Sequence, residues 1–212
     1  VAVADDASAV YYNISGISQI NEMAITATYS KYIAGISDSY IAAVYPVFKV
    51  GTFGVGWINL ASELYSENTF ILGYSYALDK DIYIGIGAKM FMKSYGTNEW
   101  TVLNPIFAKT TAMGFGVDLS LFSKITDNIC VGASAENINQ PDVSLASADT
   151  VPAVYRLGLK YNIMKDWIFT LEGDYRNSEV KVLGGTEYWV DTKFLNPIGI
   201  KDSNIGFRGG FG

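Results

Sequence analysis

Residues 81–93 alternate without a break. Ile82, Ile84, Ile86, Ala88, Met90 and Met92 fall on one side, and Tyr83, Gly85, Gly87, Lys89 and Phe91 on the other. Residues 113–121 set Met113, Phe115, Val117, Leu119 and Leu121 against Gly114, Gly116, Asp118 and Ser120. Residues 155–163 set Tyr155, Leu157, Leu159, Tyr161 and Ile163 against Arg156, Gly158, Lys160 and Asn162. Residues 167–176 set Trp167, Phe169, Leu171 and Tyr175 against Thr170, Glu172, Asp174 and Arg176. Residues 204–211 set Ile205, Phe207 and Phe211 against Asn204, Gly206, Arg208 and Gly210. A period of two is the signature of a β-strand, whose successive side chains point to opposite faces. The apolar rows then have two possible solvents. They face lipid in a membrane barrel or a second sheet in a soluble sandwich.

Charged residues are 17% of the chain, where an average soluble protein has about 25%. Half of the residues are hydrophobic, and the mean hydropathy is positive. The net charge of −6 argues against nucleic acid, which needs a basic face. There is no histidine, which excludes Ser-His-Asp and Cys-His nucleophile systems and His-ligated metal sites. The single cysteine, Cys130, allows no internal disulfide and reads as a small wall residue. No apolar run reaches the roughly 18–20 residues of a transmembrane helix, but a closed barrel crosses lipid without one. No cofactor, metal site or catalytic set is expected, and an enzyme is the least supported class.

Strand candidates arrive at regular spacing: 22–32, 39–49, 51–61, 69–78, 81–93, 112–124, 128–138, 153–163, 166–177, 180–190 and 203–211. Most are near the roughly 9–11 residues that cross a bilayer at a tilt. Short turns fit around residues 49–52, 78–81, 124–128 and 164–166. Longer connections span 94–111 and 139–152, with a third at 191–202. Long and short connections of this kind suit an up-and-down membrane barrel. Tyr29, Tyr32, Tyr74, Tyr76, Tyr155, Tyr161, Trp167, Tyr188 and Trp189 lie near strand ends, where interfacial girdles sit. Tyrosine is also simply a good strand residue.

Residues 3–13, Val3-Ala4-Asp5-Asp6-Ala7-Ser8-Ala9-Val10-Tyr11-Tyr12-Asn13, do not alternate. Asp5 or Asp6 suits the cap of a short helical turn ending near Gly16. This segment resembles the N-terminal signature of the PorV/PorQ group within the FadL-like outer-membrane barrels, roughly A-D-D-A-S-A-x-x-x-N-P-A-G-L. Asn13, Gly16 and Ile17 match it, whereas Ile14-Ser15 stands in place of Pro-Ala. Glu136-Asn137-Ile138, Arg156-Leu157-Gly158-Leu159, Glu187-Tyr188-Trp189 and the run from Gly206 to Gly212 follow in the family's order.

The resemblance implies an all-β, transmembrane, antiparallel up-and-down β-barrel in the bacterial outer membrane. Family members look fourteen-stranded, against about eleven or twelve strands read here. Residues 1–212 then form a single barrel domain that continues at both ends, with residues 1–20 as a plug. The implied role is transport: passage of hydrophobic molecules, or cargo shuttling in type IX protein secretion. A scaffold barrel anchoring a surface assembly is the alternative. Implied partners are outer-membrane lipid, a secretion-system or surface-assembly protein, and a hydrophobic ligand. Asp5, Asp6, Asn13 and Gly16 are the candidate plug or inner-wall motif. Lys89, Asp118, Glu136, Arg156, Lys160, Glu172, Asp174, Arg176 and Arg208 are the candidate lumen-facing residues. Most of these read as paired lumen side chains rather than a charged gate. Asp5-Asp6 as a calcium site, and Asn13-Ile14-Ser15 as a glycosylation sequon, are weaker readings.

Overall fold

A computed structural model describes residues 1–32, 35–99, 102–103, 109–145, 147–191 and 204–212. The alternating stretches form strands, and the chain is all-β apart from its first nineteen residues. Eleven strands run in chain order: β1 Ala24–Lys31, β2 Ser37–Val47, β3 Gly51–Ala61, β4 Tyr65–Asp79, β5 Ile82–Tyr95, β6 Thr111–Lys124, β7 Ile129–Glu136, β8 Val154–Met164, β9 Trp167–Arg176, β10 Glu179–Asp191 and β11 Asn204–Phe211. Each pairs antiparallel with its sequence neighbour in one sheet, an up-and-down barrel wall. Among the described residues there is no second sheet, so the sandwich reading has no partner for the apolar face.

Register places the two faces. Leu72, Ala88 and Val117 lie side by side on the outer face. Ile71, Lys89 and Gly116 form the adjacent inner row. The outer rows are exposed: Ile82, Ile84 and Ile86 on β5, Phe115 and Leu119 on β6, Leu157 and Tyr161 on β8. The inner rows of β5 and β6 are buried. Among the described residues the outer rows carry no charge except at strand ends, where Lys31 closes β1 and Asp79 closes β4.

What buries the inner face is the N-terminal segment. A single helical turn, α1 Ala9–Tyr12, runs into a 3-10 turn over Ile14–Gln19. The helical segment therefore continues past Gly16, where the sequence suggested an end. Asp6 starts it: its carboxylate accepts from the Ser8 backbone N–H at 2.9 Å, and its carbonyl from Ala9 at 3.1 Å. Ala4, Ala7, Ala9, Val10, Ile14 and Ile17 pack on Ala42, Val44 and Ile71 as the main apolar core. Gly132 on β7 and Gly158 on β8 touch Val1. The segment meets β2 through β8 along its length.

Turns bear out the short connections and sort the long ones. Asn177 and Ser178 both have positive φ (51° and 64°), the requirement of a two-residue hairpin turn that matches strand twist. The connections 96–110 and 137–153 join strands at one end of the wall. The third long connection, between Asp191 and Asn204, joins at the opposite end, with the short turns after β2, β4, β6 and β8. Residues 192–203 themselves lie outside the described residues.

Candidate functional site

The inner face holds two different surfaces. Over β3–β8 the N-terminal segment sits directly on glycines. A Cβ added at Gly54 would come within 2.6 Å of Val10, and one at Gly132 within 2.5 Å of the Val1 carbonyl. At Gly85 it would collide with the Ser15 backbone, and at Gly87 with Ile14. These lumen glycines form the seat of the plug. Gly16 serves the same purpose within the segment, since a side chain there would strike Ala4.

Hydrogen bonds fix the seat. The Ser15 N–H donates to Ser120 Oγ (2.8 Å), and Ser75 Oγ donates to the Ser15 carbonyl (2.9 Å). Ser18 Oγ donates to Ser75 Oγ at 2.7 Å. Asn13, fully buried, donates to the Val1 carbonyl at 2.7 Å and accepts from Ser15 Oγ at 2.6 Å. Burial also removes Asn13 from use as a glycosylation site. Burial pushes the Tyr12 phenol up to about 12, so it stays protonated and donates to the Val3 carbonyl at 3.0 Å.

Ile14 and Ser15 are the residues that depart from the family pattern, and they make the closest wall contacts. Ser18, Ser75 and Tyr12 have no role in the sequence reading, and Ser15 enters it only as a departure from the family pattern and as part of a sequon. Only Ser120 carried a signal, its place on the polar row of residues 113–121.

Behind the plug lies a charged network. Lys89 Nζ, almost fully buried, sits 2.8 Å from Asp118 and 2.9 Å from Glu136. Glu136 also pairs with Arg156, whose Nε lies 3.6 Å from Asp174. Asp118 accepts from the Asn137 N–H at 2.8 Å. The Lys89 ammonium stands 5.5 Å above the Tyr11 ring, which ties the network to the plug. Five of the nine lumen candidates thus meet in one cluster that spans β5 to β9.

The other four lie apart. Lys160 reaches Asp5 at 3.7 Å, which leaves Asp5 as a wall contact and Asp6 as the cap. Glu172 pairs with the Val1 amino group. Arg208 Nε pairs with Glu187 at 2.5 Å and its guanidinium lies 5.8 Å from the Trp189 ring. Arg176 stands at the end of β9, exposed and without an ion pair among the described residues. Among the described residues no three or more metal-ligating side chains cluster, at Asp5-Asp6 or elsewhere.

Among the described residues, the inner face over β9–β11 is open apart from the Val1 amino group at Glu172. A cavity of about 300 Å³ is lined by Asp174, Arg176, Glu179 and Lys181. Next along the same two strands, one of about 640 Å³ is lined by Val3, Tyr12, Thr170, Glu172, Leu183 and Gly185. A third, of about 580 Å³, shares Val3, Tyr12, Thr170 and Gly185 and continues to Ile168, Glu187 and Arg208.

The outer face is built for a different medium. Tyr155 packs with Tyr175 near the long-connection end, and Trp167 packs edge-on with Tyr188 near the short-turn end. Trp189 departs from the girdle expectation: it lies on the inner row beside Glu187, lining the third cavity.

No family model and no curated protein matches this chain. Among solved structures it is similar to the CymD monoaromatic hydrocarbon channel, at 11% identity over 100% of this chain and 89% of that chain, with a TM-score of 0.49.

Proposed function

We propose that this chain forms a bacterial outer-membrane β-barrel with a transport role, residues 1–20 acting as its plug. One observation carries the reading: charge is segregated by face. The outer rows are broad, exposed and uncharged between strand ends, while Lys89, Asp118, Glu136, Arg156 and Asp174 sit inside. In water, a contiguous apolar surface of this extent would drive aggregation. Lipid removes that cost, and a charged residue at mid-depth on the lipid side would add about 2–4 kcal/mol. Aromatic pairs near both ends of the outer rows support the same setting.

Two finer roles stay within the proposal. Apolar lining by Val3 and Leu183 in the middle cavity suits passage of a hydrophobic molecule. The PorV-like motifs at residues 3–17 and 206–212 suit a part in type IX secretion, with a secreted protein or secretion-system component as partner. A scaffold barrel for a surface assembly is the alternative. The test is extraction and reconstitution. The protein is expected in the outer-membrane fraction, to require detergent, and to migrate faster on a gel unheated than boiled. Reconstituted vesicles are expected to take up a small solute or a hydrophobic probe. Uptake of neither, combined with capture of a defined surface protein, would replace transport by the scaffold role.

A further inference from the structure

We infer that solute passes beside the plug, along the inner face of β9–β11, while the plug stays seated on β3–β8. This inference rests on the transport reading and adds a route, a mechanism and a solute class to it.

The two halves of the inner face differ in the same kind of residue. Most inner glycines on β3–β8 are filled by the plug: Gly54 by Val10 and Ile17, Gly73 and Gly87 by Ile14, Gly85 by Ser15, Gly158 by Val1. On β6, Gly114 is filled by the connection after β7 and Gly116 by Asn137, Phe91 and Lys89. No inner glycine of β10 or β11 touches the plug. A Cβ on Gly185 would meet only Thr170 Oγ1 and the Gly209 carbonyl, and one on Gly210 only the backbone at Gly184 and Gly185. The two larger cavities there share Val3, Tyr12, Thr170 and Gly185, and the smallest lies next along the same two strands. The three cavities follow one another along β9 from Arg176 and Asp174 through Glu172 and Thr170 to Ile168. Along β10 they follow from Glu179 and Lys181 through Leu183 and Gly185 to Glu187. That covers nearly the full height of the wall.

The seat is also the better-bonded half. Ser15 and Ser18 are hydrogen-bonded to Ser75 on β4 and Ser120 on β6, and three apolar side chains are buried there. Displacing the plug would strip these bonds at once and expose Val10, Ile14 and Ile17. Passage along β9–β11 disturbs none of them.

The lining also sets the solute class. Both ends of the route are charged with mixed sign, by Asp174, Arg176, Glu179 and Lys181 at one end and Glu187 and Arg208 at the other. A solute made only of hydrocarbon would have to dehydrate these groups. A small polar solute exchanges hydrogen bonds with them instead. Thr170 and Gly185 are shared by the two larger cavities, beside Tyr12.

Disulfide locks and blocking side chains test the route, using arabinose-driven swelling of vesicles that hold the protein. A Cβ on Gly54 stands 3.7 Å from the Val10 Cβ, within the roughly 3.5–4.5 Å that a disulfide spans. Val10→Cys with Gly54→Cys therefore locks the plug, in a Cys130→Ala background that removes the native thiol. Ser18→Cys with Ser75→Cys is the second lock, replacing hydroxyls 2.7 Å apart. The expected result is equal swelling rates for each lock oxidised and reduced. Gly185→Trp and, independently, Thr170→Phe are expected to lose most of the swelling while keeping heat-modifiable migration. Val182→Trp, on the outer face, is expected to keep it. Swelling abolished by oxidation and restored by reductant would overturn the fixed plug. Swelling unchanged in both blocked variants would overturn the route. Uptake of a hydrophobic probe without arabinose swelling would overturn the solute class and leave the transport reading standing, whereas uptake of neither would remove that reading itself.

Discussion

Lys89 is the residue with the most at stake. Its ammonium is withdrawn from water and held by two carboxylates and a tyrosine face. Desolvating an ion costs several kcal/mol, which the paired charges offset only while each partner is present. Lys89→Met is therefore expected to destabilise the protein by about 3–5 kcal/mol, because Asp118 is left with an uncompensated buried charge and Glu136 keeps only Arg156. Adding Asp118→Asn, which keeps an acceptor for the Asn137 N–H, is expected to recover part of that loss. Thermal unfolding in detergent reads both, and a double variant no more stable than the single would refute the pairing argument. Glycines carry the opposite kind of constraint. They matter for what they leave out, which is why Ile14 fits between Gly73 and Gly87.

Strands and connections obey separate rules. On the outer rows only apolar character is demanded, so depth decides the cost of a change. Leu72, at mid-strand on β4 between Val55 and Ala88, is exposed. Leu72→Arg is expected to cost about 2–4 kcal/mol in lipid and much less in detergent micelles, where the cation reaches water. Equal costs in the two media would contradict a lipid-facing row. The connection 137–153 is instead ordered by polar groups. Asp142 accepts the N–H groups of Ser144 (2.9 Å) and Asp149 (3.3 Å), and these bonds hold its carboxyl below the usual carboxylate range, the Asp149 N–H contributing most. A lowered folded-state value means that the ionised form favours the ordered loop. The order is complete above the ordinary aspartate value of about 4 and is lost as pH falls through the folded value. Limited proteolysis in this loop is thus expected to rise only in that acid range, and Asp142→Asn is expected to flatten the dependence.

At the scale of the molecule, plug and wall are one packing unit. Removing residues 1–20 is expected to leave a heat-modifiable barrel of lower thermal stability and higher arabinose permeability, since the β3–β8 half of the lumen is emptied. Unchanged permeability would mean that the plug obstructs nothing. Much of this architecture was legible in the chain. Alternation in five stretches and the regular spacing of the rest located eleven strands in their observed order, because side-chain direction in a strand is a local property with period two. The same alternation placed Lys89, Asp118 and Arg156 on one face and the apolar rows on the other. It could not say which inner residues meet. Lys89, Asp118, Glu136 and Arg156 come from four strands, and their contact depends on register and curvature. Ser15 finds Ser75 and Ser120 across 60 and 105 residues, a pairing that no local pattern encodes. The sequence by itself determined strand and face, since each follows from neighbours two residues apart. Only the tertiary structure decided which half of the lumen is filled and which stays open, because that depends on where one short segment lies against eight strands.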